Sequence, residues 1–281
     1  MKLNARASSV HTHSILCDGK NTLAEMAAAA YAAKVRYFGA SGHSHTPAPA
    51  DVGNVLDADV SAYRTEILRL REEYAGRMEV LLGIEWDSQS DGVRSDFDYW
   101  IGSVHELYSP ETMEYYCVDW EAESLIACRD RACGGDFLSV AEWYYRDVAA
   151  LAQQKPTILG HIDLITKLNQ DGAFFSETAP RYRTAALTAL HAADPTVTLL
   201  EINTGSIQRG YRKTPYPAPF LLKEWRAMGG KVILTSDAHS ADAILFGFDL
   251  AAKAARSAGY TETVILTMDG PSVCPLEADP L

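Results

Sequence analysis

Hydrophobic and polar positions switch between a period near 3.6 and runs of continuous apolar residues, and the switch recurs along the whole chain. After Asp18-Gly19-Lys20-Asn21, Thr22 and Glu25 form a capping box, and Leu23, Met26, Ala27, Ala30 and Tyr31 follow at helical spacing. Arg36 to Ser41 reads as a strand that delivers Gly42-His43-Ser44-His45 to a proline-punctuated loop. A charged helix is expected from about Asp59 to Gly76, then a buried-type strand from Met78 to Ile84 ending at Glu85. Tyr99 to Val104 is the next strand and ends at His105. Ser139 and Glu142 suggest a second capping box, opening a helix that runs to about Gln154. Pro156 to Gly160 is a short strand before His161. Further on come a helix from about Arg181 to Ala193, a strand from Val197 to Ile202, and a helix through Trp225. The apolar run Lys231 to Ser236 leads into Asp237-Ala238-His239, and a last helix ends near Gly259 before a short strand from Thr263 to Thr267.

Strand and helix alternating over 281 residues predict a parallel sheet with right-handed crossovers, closed into a barrel as one domain spanning 1–281. The least regular stretch, near 106–136, is rich in Tyr and acid and is expected to be a lid insertion over the site. The proline-bearing tail beyond Thr267 carries no clear pattern.

Composition narrows the partners. The 25 basic and 37 acidic residues give a formal charge of −12 with no basic track, so no nucleic-acid partner is expected. Five cysteines without a CxxC pair read as reduced thiols, and no apolar run is long enough to span a membrane. The expected location is the cytoplasm.

The candidate chemistry lies where strands end. His11 and His13 sit two apart in an extended segment and so point the same way. Asp237 and His239 repeat that spacing after another strand. Six of the eight histidines, at 11, 13, 43, 105, 161 and 239, follow strands, which in barrels is the catalytic end. Any one of them alone reads as a structural histidine; the set reads as a metal site.

At this point the motifs His11-Thr12-His13, Asp18-Gly19, Gly83-Ile84-Glu85, Gly102-Ser103-Val104-His105, Leu159-Gly160-His161-Ile162-Asp163-Leu164, Glu201-Ile202-Asn203-Thr204 and Ser236-Asp237-Ala238-His239 resemble those of the PHP (polymerase and histidinol phosphatase) superfamily. They are most similar to its monofunctional histidinol-phosphatases, from about residue 8 to about residue 250. The resemblance implies an α/β fold, a distorted (β/α)7 barrel with a trinuclear metal centre at the C-terminal strand ends. It also implies that His11, His13, Glu85 and Asp237 hold a first metal, that Glu85 bridges to a second held by His105 and His161, and that Asp18, His43 and His239 hold a third. Glu85, Asp237 and His239 would carry catalytic roles as well. The family often has Asp immediately before the second-motif histidine, where this chain has Gly42. His45 reads as a nearby polar residue rather than a ligand.

Nitrogen and oxygen donors without thiolate suit three divalent ions, Zn, Mn or Fe. Three such ions against Asp18, Glu85 and Asp237 leave a first shell near +3, which suits a phosphate dianion and a metal-activated water. Arg209, Arg212, Lys213 and Lys167 are the candidate phosphate contacts. Asp119 and the aromatic residues Tyr115, Tyr116 and Trp120 are candidates to receive the amine and imidazole of histidinol. Asp87 and Asp163 are candidate acceptors for metal histidines, Cys17 a bystander, and His191 lies outside the site. The expected function is hydrolysis of L-histidinol phosphate, a small phosphorylated substrate, in histidine biosynthesis. The alternatives are a PHP phosphoesterase for another small ester or nucleotide, and a non-catalytic metal-binding sensor.

Overall fold

The computed structural model describes residues 4–276. In chain order it contains β1 (Ser8–Ser9), α1 (Leu23–Ala32), β2 (Tyr37–Ala40), α2 (Ser61–Glu73), β3 (Glu79–Asp87), β4 (Tyr99–Ser103), β5 (Glu106–Ser109), β6 (Glu114–Cys117), α3 (Ala122–Ala132), α4 (Phe137–Ala152) and β7 (Ile158–Leu159). The second half adds α5 (Pro180–His191), β8 (Leu199–Asn203), the one-turn α6 (Gly205–Gln208), α7 (Pro219–Ala227), β9 (Lys231–Thr235), α8 (Phe248–Ser257), β10 (Glu262–Thr267) and β11 (Gly270–Pro275).

Seven strands pair in parallel in the order β1, β2, β3, β4, β7, β8, β9. Closure comes just beyond the first and last of them. Thr12 and Ala238 form a parallel bridge, the His13 N–H donating to Ala238 O at 2.8 Å and the Ala238 N–H to His11 O at 3.0 Å. The result is a cylinder sealed at its C-terminal end by the very segments that carry four candidate ligands. At the other end β10 joins β9 in parallel at Val264 and Ile233, and β11 returns antiparallel along β10. The barrel is therefore a distorted one, as the resemblance implied.

Alternation along the strands divides two cores. Tyr37, Leu81, Tyr99, Ile101, Ile158, Leu199 and Ile233 fill the cylinder, while Phe38, Val80, Leu82, Leu159, Leu200, Ile202, Val232 and Leu234 pack outward against the helices. Tyr99 crosses the cylinder to donate its hydroxyl to Val10 O at 2.5 Å, and its ring occupies the space a side chain at Gly83 would need. Two residues further along the same inward-facing rows the chemistry changes: Leu81 and Gly83 give way to Glu85 and Asp87, and Leu199 to Glu201 and Asn203.

Local structure corrects three expectations. The helix expected to open at Ser139 begins at Phe137, because Asp136 accepts the Leu138 N–H and so caps it. Glu142 is engaged elsewhere, by Arg181 at 2.8 and 2.6 Å. The irregular stretch contains an antiparallel hairpin, β5 with β6, that forms its own two-stranded sheet, followed by α3. The tail holds β11. Among the described residues no helix is long and apolar enough to cross a membrane.

Candidate metal centre

All nine expected ligands converge at the C-terminal mouth of the barrel. His11, His13 and Asp237 form one group of facing donor atoms, and His13, Asp18, His43 and His239 form a second. Glu85 is shared between a group with His11 and His161 and another with His43 and His105. Its Oε2 lies 3.1 Å from His11 Nε2 and 3.1 Å from His43 Nδ1, and its Oε1 lies 2.8 Å from His161 Nε2 and 3.5 Å from His105 Nε2. Asp237 Oδ1 is 3.2 Å from His13 Nε2 and 3.5 Å from His11 Nε2. Asp18 Oδ2 meets His239 Nε2 at 2.9 Å.

Several of these atoms lack hydrogen-bond partners although they are buried. His11 Nε2, His13 Nε2, Glu85 Oε2 and Asp18 Oδ1 are all in this state. Unpaired buried polar atoms are costly, and here they face one another across the spacing that a coordinated cation would fill. The donor set of imidazole and carboxylate fits divalent ions. Cys17 Sγ stands 3.6 Å from His13 Nδ1, and burial raises its thiol pKa, which disfavours the thiolate a metal would need.

The electrostatics show what the protein alone must balance. Burial opposes charge on His11, but Glu85, Glu201 and Asp237 outweigh it and raise its pKa well above the ordinary value. His13, beside His239 and His43, is pushed down by burial and by those rings to about 3. Glu85 and Asp237 are 1% and 5% exposed, so solvent cannot stabilise them; despite burial, the histidines around both and Arg209 beside Asp237 hold them ionised.

The surrounding residues set the orientation of the rings. Glu201, quoted among the motifs but given no role by the sequence, accepts the His11 Nδ1–H at 2.5 Å, the His161 backbone N–H at 2.7 Å and the Thr235 hydroxyl at 2.7 Å. Its signal was an acid inside an apolar strand. Asp87 accepts the His105 backbone N–H at 2.6 Å and lies 3.3 Å from its Nδ1, the part expected of it. Asp163 does not reach a histidine; its Oδ2 accepts the Ala218 N–H at 2.8 Å. Gly42 packs against Leu56, whose side chain lies 3.0 Å from where a Cβ would stand. His43 is held instead through its backbone, which bridges Glu85 in parallel and accepts the Leu56 N–H at 2.9 Å. Asp237 departs from strand geometry: β9 ends at Thr235, and Asp237 has φ 47°, the strained left-handed region in a site where strain concentrates.

A cavity of about 390 Å³ opens over the cluster. Arg209, Lys167 and Asp119 line it, as do Cys117 and Trp120. Arg209 donates to Asp237 Oδ2 at 3.0 Å and to Asp237 O at 3.0 Å, and Lys167 donates to Asp119 Oδ2 at 2.7 Å. Lys213 is exposed and does not line the cavity; Arg212 turns away, with Nη1 on the Thr166 hydroxyl. His45 pairs with Asp91 at 2.8 Å, and His191 with Glu224 at 2.7 Å, both outside the cluster.

The barrel and its mouth define a class of metal-dependent hydrolase domain, and residues 9–205 match the PHP domain family: the chain belongs to it. It is 26% identical over 222 residues to the histidinol-phosphatase of Bacillus subtilis (strain 168), covering 72% of this chain and 79% of that protein. It is 30% identical over 221 residues to a Deinococcus radiodurans protein named "Probable histidinol-phosphatase", covering 70% and 72%. The crystal structure of histidinol phosphate phosphatase from Lactococcus lactis subsp. lactis Il1403, complexed with Zn, L-histidinol and phosphate, superposes with a TM-score of 0.67 over 94% of this chain and 98% of that one, at 18% identity.

Proposed function

We propose that this chain is a metal-dependent phosphomonoesterase that hydrolyses L-histidinol phosphate to L-histidinol and phosphate. The observation that carries the reading is the set of nine facing ligand side chains, with buried donor atoms left unpaired, beneath a cavity lined by Arg209 and Lys167. The same activity is named in both sequence relatives, over more than two thirds of each chain.

His11, His13, Asp18, His43, Glu85, His105, His161, Asp237 and His239 would hold the ions. Bound there, divalent ions supply Lewis acidity toward phosphoryl oxygens and acidify water at neutral pH. Glu201 takes the Nδ1–H of His11 and so fixes the tautomer that leaves Nε2 free as a donor. Arg209 anchors the strained Asp237 and presents the rest of its guanidinium to the cavity, where it meets a phosphate. Lys167 offers a second cation, steered by Asp119 and by the Tyr211 ring 4.9 Å from Nζ. Glu85, Asp237 and His239 border the cavity and are the groups of this chain placed to handle protons there. The hairpin β5–β6 supplies the lid side of the cavity through Cys117, with Asp119 and Trp120 following it.

The test is release of inorganic phosphate by the Mn²⁺- or Zn²⁺-loaded protein from histidinol phosphate, set beside sugar phosphates, nucleotides and a chromogenic ester. Preference for histidinol phosphate is expected. Turnover of other esters alone would overturn the substrate, and metal binding without any turnover would overturn the enzyme reading in favour of a sensor.

A further inference from the structure

The segment that leaves β8 does more than connect it to α6. The strand ends at Asn203, which is fully buried and held by Tyr216 on both sides of its backbone: its N–H donates to Tyr216 O at 3.0 Å, and its own O accepts the Tyr216 N–H at 3.0 Å. A backbone held that way leaves the side chain little freedom of aim. The amide is used in three directions. Nδ2 donates to Glu201 Oε2 at 3.1 Å and to Asp237 Oδ2 at 3.3 Å, while Oδ1 accepts the Gly205 N–H at 2.8 Å, an Asx turn that opens α6. Asn203 therefore stands between two buried carboxylates that repel each other, with one N–H for each.

The consequence falls on Asp237. Its Oδ2 takes Asn203 and, at 3.0 Å, Arg209 Nη2, which leaves Oδ1 to face His13 Nε2 at 3.2 Å and His11 Nε2 at 3.5 Å. Which oxygen points at the cluster is decided from behind the carboxylate. Gly205 makes this possible, because a Cβ there would stand 2.7 Å from Asp237 Oδ2 and 3.0 Å from Arg209 Nη1.

We propose that Asn203 is a positioning residue of the metal centre: its amide keeps the Glu201 and Asp237 carboxylates apart and, with Arg209, reserves Asp237 Oδ2, so that Oδ1 is the oxygen offered to an ion. The proposal rests on the metal-dependent reading above and deepens it. Asn203 neither lines the cavity nor belongs to a group of facing ligand atoms, so it acts through Asp237 and Glu201.

A double-mutant cycle on the full chain tests this through Mn²⁺ or Zn²⁺ affinity, read by competition with a chromogenic chelator and needing no turnover. Asn203→Ala is expected to weaken metal binding about tenfold, the loss typical of removing a group that orients ligands. In a Glu201→Gln background one of the two carboxylates is already neutral, and the same substitution should weaken binding about threefold or less. A residue that merely fills space would give equal losses in both backgrounds; that result, or no loss in either, would overturn the proposal. Gly205→Ala keeps every polar group and sets a methyl against Asp237 Oδ2, so it serves even where circular dichroism shows that Asn203→Ala does not fold. It too should weaken binding about tenfold. Native affinity in Gly205→Ala would overturn the claim that the placement of Oδ2 matters. Failure of the metal-loaded native protein to release phosphate from any ester would overturn the phosphatase reading and leave the cycle to decide Asn203.

Discussion

The inner end of the cavity and its outer wall are made of different material. Inner groups stand mostly at strand ends of the closed barrel or on the segments that close it, and His11, His13, Glu85, His161 and Asp237 among them are buried. The outer wall comes from a hairpin with its own two-stranded sheet, the helix α3 after it, and the loop around Asp51. Placement on rigid strand ends serves chemistry, which tolerates little displacement, whereas a grafted wall can change what is recognised without disturbing the metal cluster.

The sharpest way to break this contrast is at the inner end. His11→Ala or Asp237→Asn is expected to lower phosphate release at least about a thousandfold, a loss typical of removing a group that stabilises charge in the transition state, while circular dichroism reports a retained fold. Near-normal turnover in either variant would refute the site. Chelation of the native protein should act in the same direction and lower its melting temperature, because ions bound only to the folded state stabilise it; at a thousand times Kd the effect is about 4 kcal/mol. A melting curve unmoved by chelator and by metal would count against a metal centre.

Glu201→Gln asks whether the supporting carboxylate matters as much as the ligands. It keeps the shape but removes the charge that holds the His11 Nδ1–H and the His161 backbone N–H. A loss of about 10- to 100-fold in metal affinity is expected, read by competition with a chromogenic chelator. Unchanged affinity would make Glu201 a packing residue.

How much of this was legible in the sequence follows the same contrast. Strand exits announced themselves because apolar runs ended in His, Glu or Asp, and all nine side chains meet. Glu201 stood in a quoted motif yet received no role because it lies within its strand rather than at its end, although an acid on the same inward-facing row as Leu199 could not be solvated. The turn at Asp237 was hidden, since a left-handed backbone at a residue with a side chain has no sequence signature when closure of the barrel imposes it. Arg209 and Lys213 belong to one basic cluster, yet the one-turn α6 delivers Arg209 to the cavity and leaves Lys213 on the loop beyond. Ser139 and Glu142 mimicked a cap because Asp136, three residues earlier, competes for the same role and Arg181 claims Glu142. The strand β11 was obscured by Pro271 and Pro275, which a sheet tolerates only at an edge like this one.

The smallest expected effect tests how firmly the wall is fastened to the barrel. Lys167, on the segment after β7, and Asp119, just after β6, form a bridge whose side chains are 10% and 16% exposed. A pair so shielded should exceed the worth of a surface ion pair but fall short of a fully buried one, about 1 to 2 kcal/mol. Lys167→Met should therefore speed amide exchange in β6 relative to the barrel strands. The pH dependence gives the sign. Burial would raise the Asp119 carboxyl, but Lys167 and the neighbouring His105 outweigh it and hold it below the usual carboxylate range, so the folded state binds its proton less readily than the unfolded chain. The contribution is thus complete above the unfolded pKa of about 4 and fades as pH falls through the lower folded value. The gap between native and Lys167→Met exchange rates should be full near neutrality and narrow in acid; a gap that is absent near neutrality would mean the wall is held by the apolar contacts of Leu107, Tyr116 and Val118 alone.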